Sequence, residues 1–154
     1  MKDVVLEWYI PYVMPRGKRL LKAVLIASMV VLCVDTLIYP EILFLPFLAL
    51  LVAGVLLLRS WKYEYEYVYV NGDLQISKII RKEKRKDVYH CERKNMEYVA
   101  EGRRSVPGCK VHDFTSGWEK ARVYTIKLGS DLVYLEPNDE FLEEMKLHRK
   151  LEKF

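Results

Sequence analysis

Between residues 20 and 58 the chain carries only three charged side chains, Lys22, Asp35 and Glu41, in 39 positions. The next 96 residues, 59–154, carry 37 charges, 20 basic and 17 acidic. The overall composition, 51% hydrophobic and 30% charged, is thus the average of two unlike pieces. The apolar piece divides into runs over residues 20–38 and 42–58. At about 1.5 Å per residue these extend roughly 28 and 26 Å, close to the ~30 Å hydrocarbon core of a bilayer. Neither run has a polar face, and the polar remainder is too small to surround two all-apolar helices in water. The expectation is a pair of transmembrane helices joined by the short link Tyr39-Pro40-Glu41. Pro46 is expected in the first turn of the second helix or at a kink within it.

The flanks predict an orientation. Lys2, Arg16, Lys18, Arg19 and Lys22 precede or open the first helix, Arg59 and Lys62 follow the second, and the tip holds only Asp35 and Glu41. By the positive-inside rule this places both termini in the cytoplasm, with the chain in the cell membrane. Lys22 and Arg59 are placed to snorkel to the interface, and Trp61 and Tyr63 to join an aromatic belt. Asp35 reads as interfacial. A cleaved signal peptide is not expected, because the apolar run starts late and a second one follows. The first 19 residues form a cytoplasmic or interfacial segment. Its apolar stretch, Val4 to Ile10, suits either the headgroup layer or packing against the cytoplasmic domain, and composition does not choose between them.

From Trp61 the period becomes two. Residues 62–70 alternate strictly, putting Tyr63, Tyr65, Tyr67 and Tyr69 on one face, where hairpin and core packing is the expected use. Asn71-Gly72 is a strong hairpin signal, since a type I′ turn needs positive φ at both central residues. The return strand covers about 73–82, with a bulge expected where Lys78-Ile79-Ile80 breaks phase. Further strands are expected over 84–91, 96–100, 121–128 and 132–135, with a short segment at 110–114. A closing helix over about 138–151 follows Pro137, with acids in its first turn and cations at its end. The domain would span residues 59–154.

Six or seven short antiparallel strands ending in one amphipathic helix are the element order of a pleckstrin-homology-like (PH-like) barrel or sandwich. The chain resembles small bacterial two-helix membrane proteins that carry a cytoplasmic PH-like domain, and more narrowly a family of these in Gram-positive bacteria. The resemblance rests on Tyr63-Glu64-Tyr65-Glu66-Tyr67 leading to Val70-Asn71-Gly72-Asp73-Leu74, then Ile79-Ile80 and the basic run. Asp113-Phe114-Thr115-Ser116-Gly117 and Glu136-Pro137-Asn138-Asp139-Glu140-Phe141-Leu142 complete it. These motifs are strands, turns and a cap, so they imply a fold and lend no catalytic or binding residues. The expected class is an α+β membrane protein: a transmembrane helical hairpin, then a PH-like antiparallel barrel or sandwich closed by a helix.

The most informative polar feature is a basic run. Lys78, Arg81, Lys82, Lys84, Arg85 and Lys86 place six cations in nine residues. Residues 59–110 hold 13 basic and 8 acidic groups (net +5), and residues 111–154 hold 7 and 9 (net −2). Each cation near an anionic leaflet contributes on the order of 1 kcal/mol. The run therefore points to anionic headgroups or an acidic protein partner; the competing reading is a solvated tip whose charges deter edge-to-edge pairing. Nucleic acid is not expected, as no motif for it accompanies the patch. His90, Cys91, Cys109 and His112 lack metal-site spacing, so neither metal nor cofactor is expected. No nucleophile elbow, phosphate loop or zinc-protease motif occurs, and His112-Asp113 is the only tempting acid–base pair. The reading is a non-enzymatic, membrane-anchored interaction module. The alternative is an accessory or scaffold subunit, including a homo-oligomer, assembling through its helices and sheet edges.

Overall fold

The computed structural model describes residues 3–151. Its contacts divide the chain into two units. One is Met14–Lys62; the other joins the segment ending at Val13 to the chain from Tyr63 onward.

The first unit is a helical hairpin, α1 (Arg16–Ile38) and α2 (Pro40–Ser60). At 23 and 21 residues the helices are about 34 and 32 Å long, and both are long and apolar enough to cross a membrane. No residue of α1 is buried and only Gly54 of α2 is, so neither helix belongs to a protein core. At Gly54 α2 lies against Leu25 and Met29 of α1. A Cβ there would lie 2.7 Å from Met29 Cε and 3.7 Å from Leu25 Cδ2. The expected three-residue link contracts to Tyr39 alone, because Pro40 opens α2, where its missing N–H costs nothing. Tyr39 donates its N–H to the Asp35 carbonyl, and its own carbonyl accepts from Leu43. Pro46, seventh in the helix, lies beyond the first turn and leaves the Ile42 carbonyl without its usual donor.

The second unit opens with a strand, β1 (Val5–Pro11). It pairs antiparallel with β2 (Tyr63–Val70), in register from Val5↔Val70 to Pro11↔Glu64. The question left open for the N-terminal segment is thereby answered: it packs in the β domain. The helical hairpin is, in sequence, the connection between two paired neighbouring strands. β3 (Asp73–Ile80) and β4 (Lys84–Glu92) complete a four-stranded sheet in the order β1-β2-β3-β4. A bulge does occur, but on the partner strand: the register shifts between Ile76 and Ser77, so Val88 of β4 is the extra residue.

The second sheet contains β5 (Tyr98–Glu101), β6 (Lys110–Asp113), β7 (Tyr124–Leu128) and β8 (Asp131–Leu135), in the order β5-β7-β8-β6. β6 pairs parallel to β8, which departs from the all-antiparallel expectation. The reason is topological. Residues 114–123 carry the chain past β8 before β7 begins, so β6 ends up beside a strand running its own way. Two open four-stranded sheets, rather than a closed barrel, form the domain.

The helix α3 (Asp139–Leu147) covers the core between the sheets, burying Phe141, Leu142 and Met145. Asn138 caps it by accepting from the Phe141 N–H at 2.9 Å. It stops earlier than the expected 151. Arg149 turns to φ +56, the Lys150 N–H returns to the Met145 carbonyl, and Leu151 leaves to bridge Val99 of β5. Tyr67 and Tyr69 are fully buried and Tyr65 nearly so, facing Ile126, Val133 and Leu135 of the other sheet. Trp8 stacks on Tyr67 with centroids 5.2 Å apart and donates its indole N–H to the Glu136 carbonyl at 3.0 Å.

Candidate functional site

Register determines which loops share an end of the first sheet. Tyr63 pairs with Ile80, so the turn between β3 and β4 lies at the end where β2 begins. Pro11, the last residue of β1, pairs with Glu64 at the same end. The Tyr12 N–H donates to the Tyr63 carbonyl at 3.1 Å, and the two rings stack at 4.5 Å. Both points where the chain passes between the β domain and the helices therefore lie side by side. The basic turn is their neighbour.

That turn is held in an uncomfortable conformation. Arg81 and Lys82 have φ of +55° and +62°, and the Glu83 N–H closes the turn onto the Ile80 carbonyl at 3.1 Å. At the other end of the sheet Asn71 and Gly72 take the same left-handed region with residues suited to it. For Arg and Lys the conformation costs on the order of 1 kcal/mol each. The fold thus places two long cations at a tip where Asn-Gly would be easier.

The six cations are not equivalent. Lys78 lies over the Tyr63 ring, its Nζ 4.0 Å from the centroid. Arg85 reaches the outer face of the sheet, where its Nη2 is 2.8 Å from Oε2 of Glu66, an ion contact without hydrogen-bond alignment. Glu66 is only 4% exposed and also accepts from the Tyr9 hydroxyl at 3.1 Å, so Arg85 neutralises a buried carboxylate. Arg81, Lys82, Lys84 and Lys86 are exposed and form no ion pair among the described residues. In the sequence all six form one patch. Side-chain contacts, with the Tyr63 ring and with Glu66, set Lys78 and Arg85 apart from the four that form no ion pair among the described residues.

A second loop reaches the same end. The Val13 N–H donates to the Ser116 carbonyl at 2.8 Å, and a Cβ on Gly117 would lie 3.4 Å from the Val13 carbonyl oxygen. Gly117 has φ +81°, and no side chain would be tolerated comfortably there. The loop is firmly held. Ser116 donates its N–H at 2.5 Å and its hydroxyl at 3.1 Å to Glu136, and its Oγ accepts from the Trp118 N–H at 3.2 Å. Thr115 donates to Asp113, which also pairs with Arg103. Burial raises the Asp113 carboxyl pKa, but the Arg103 and Thr115 hydrogen bonds outweigh it and hold the group below its ordinary value. Next to this loop Trp118 stands 54% exposed. Periodicity gives no signal for it, since it lies outside every strand; an aromatic directly after a Thr-Ser-Gly turn is the one available hint.

The remaining sequence candidates fall as follows. Lys22 and Arg59 are exposed within α1 and α2, and Trp61 follows α2 as its C-cap. Tyr63 is half-buried in β2, against Tyr12, Tyr65 and Lys78. His112 and Asp113 diverge, as strand neighbours must. His112 faces Tyr89 and lies 3.7 Å from Asp131, whereas Asp113 faces Arg103 and Thr115. Cys91 is buried, and burial pushes its thiol up to about 12, while His90 beside it is exposed. Among the described residues no three His, Cys, Asp or Glu side chains gather as metal ligands.

Comparison with known proteins places this architecture in a family. No curated protein and no solved structure matches the chain. A family model described as Bacterial PH-like domain (DUF6106) matches residues 2–153, taking in β1, both apolar helices and the two sheets, and the chain belongs to that family.

Proposed function

We propose that the β domain is a non-enzymatic interaction module, anchored by the helical hairpin in the cell membrane with both termini cytoplasmic. Its working surface is the basic turn, with Arg81, Lys82, Lys84 and Lys86 presented to anionic phospholipid headgroups or an acidic partner. Lys78 and Arg85 are engaged beside that turn, with the Tyr63 ring and with Glu66. One observation carries the reading: the strained Arg81-Lys82 turn shares a sheet end with Tyr12 and Tyr63, where the chain enters and leaves the helices. Only Trp61 and Lys62 separate Ser60 from β2, a reach of about 10 Å for three extended residues. A cation on this tether that comes within a Debye length of an anionic leaflet contributes on the order of 1 kcal/mol. Membership of a PH-like family supports an interaction role over catalysis.

The test uses the full chain in nanodiscs. Hydrogen exchange of the 80–86 backbone is expected to slow in anionic relative to zwitterionic lipid, and to recover in high salt. Charge reversal of Arg81, Lys82, Lys84 and Lys86 together should abolish the difference. Exchange indifferent to lipid charge would remove the lipid reading and leave the acidic partner. A second reading, an accessory subunit or homo-oligomer assembling through the helices, draws on a groove of about 500 Å³ along α1 lined by Val24, Ser28, Val31 and Asp35.

A further inference from the structure

Among the described residues, the β domain exposes one tryptophan to a majority extent, Trp118, and it is the largest apolar side chain the domain leaves in water. Its loop is not slack: Ser116 is bonded to Glu136 through both N–H and hydroxyl, and the Trp118 N–H is bonded back to Ser116. An apolar ring on a rigid support is a presented ring. The support is also tied to the chain's exit, because the Ser116 carbonyl accepts from Val13 and Gly117 packs against Tyr12 and Val13. From Val13 to the first residue of α1 the chain has three residues to run, about 10 Å at full extension. Lys120 and Arg122, both exposed, follow in the same segment.

We propose that Trp118 is a membrane-interface anchor: its indole enters the headgroup layer of the bilayer that the helices span, giving the β domain a second contact beside the basic turn. This rests on the reading above, that the helices cross a membrane and this end of the domain faces it. Indole suits the place, since its ring is apolar and its N–H can still reach headgroup or water oxygens. The partner is the lipid surface itself. A ring-driven contact does not depend on lipid charge, which distinguishes it from the contact made by Arg81, Lys82, Lys84 and Lys86.

The experiment reconstitutes the full chain in vesicles containing lipid brominated at shallow acyl positions. Emission from Trp118 is taken as the difference between wild type and Trp118→Phe, a substitution at an exposed site. The expected result is a loss of that emission comparable to the loss for Trp61, obtained likewise from Trp61→Phe, in zwitterionic and anionic vesicles alike. Trp118 emission that bromine leaves unchanged while Trp61 is quenched overturns the anchor. Exchange of the 80–86 backbone, read on the same vesicles, keeps the two proposals apart. Protection there with Trp118 unquenched removes the anchor alone; quenched Trp118 without protection supports the anchor and removes the lipid reading of the turn. If neither Trp118 nor Trp61 is quenched, the membrane reading falls and the anchor falls with it.

Discussion

The helical hairpin and the β domain solve the problem of apolar surface in opposite ways. In α1 and α2 most side chains are exposed and only Gly54 is buried. In the β domain two sheets and α3 enclose Tyr67, Tyr69, Leu74, Ile126 and Phe141 completely. One unit relies on its surroundings to solvate it; the other carries its own core. What joins them is an insertion, because the hairpin interrupts the pair β1–β2 rather than preceding a finished domain. The β domain therefore takes residues from both sides of the apolar hairpin.

The largest test of that difference removes the hairpin. A chain starting at residue 62 lacks β1 and exposes the edge of β2 together with Tyr67, and it should not fold, giving a collapsed amide spectrum. Joining Val13 to Tyr63 through a short glycine-containing loop should restore a dispersed spectrum in water, since Tyr12 and Tyr63 are already hydrogen-bonded. Equal behaviour of the two chains would mean that β1 is dispensable. Next in size, Trp8→Ala removes the stack on Tyr67 and the bond to Glu136, and should cost about 3 kcal/mol in denaturant unfolding of the β domain. The helices should be unaffected.

The converse perturbation is Gly54→Leu, which forces a side chain where Met29 Cε would be 2.7 Å from its Cβ. It should loosen helix pairing by about 1–3 kcal/mol, read as faster exchange of tip amides, while the β-domain midpoint holds. Met29→Ala in the same chain should return most of the loss. The smallest effect comes from replacing Arg81-Lys82 by Asn-Gly. Relief of the left-handed strain should raise β-domain stability by about 1 kcal/mol. The same change should weaken the response to anionic lipid. A variant that loses stability would show that these two cations are favoured by the fold itself.

Legibility followed the range of the forces involved. The helices were readable because a missing charge is a local fact, and the tyrosine stripe because pleating alternates every residue. Asn71-Gly72 announced its turn through backbone preference alone. β1 was not readable: Trp8 and Tyr67 are 59 positions apart, and nothing near Trp8 records its partner. The bulge was expected from the sequence of β3 but formed on β4, since a ladder can absorb one extra residue on either strand. The end of α3 was missed because Arg149, a good helix former, adopts φ +56 to let Leu151 reach Val99. Nor could composition tell that Arg85 is committed to Glu66, or that Trp118 lies beside the chain's exit.

By itself the sequence determined that this protein has an apolar hairpin, a tyrosine-faced β domain, a capped C-terminal helix and a run of cations, each recorded by neighbours a few positions apart. Only the tertiary structure decided that the N-terminal strand completes the domain, and that residues 12–13, 63, 80–84 and 116–118 converge on one end. That convergence depends on strand register across distant segments. Register is set by which faces find a common core, a property that no local stretch of chain possesses.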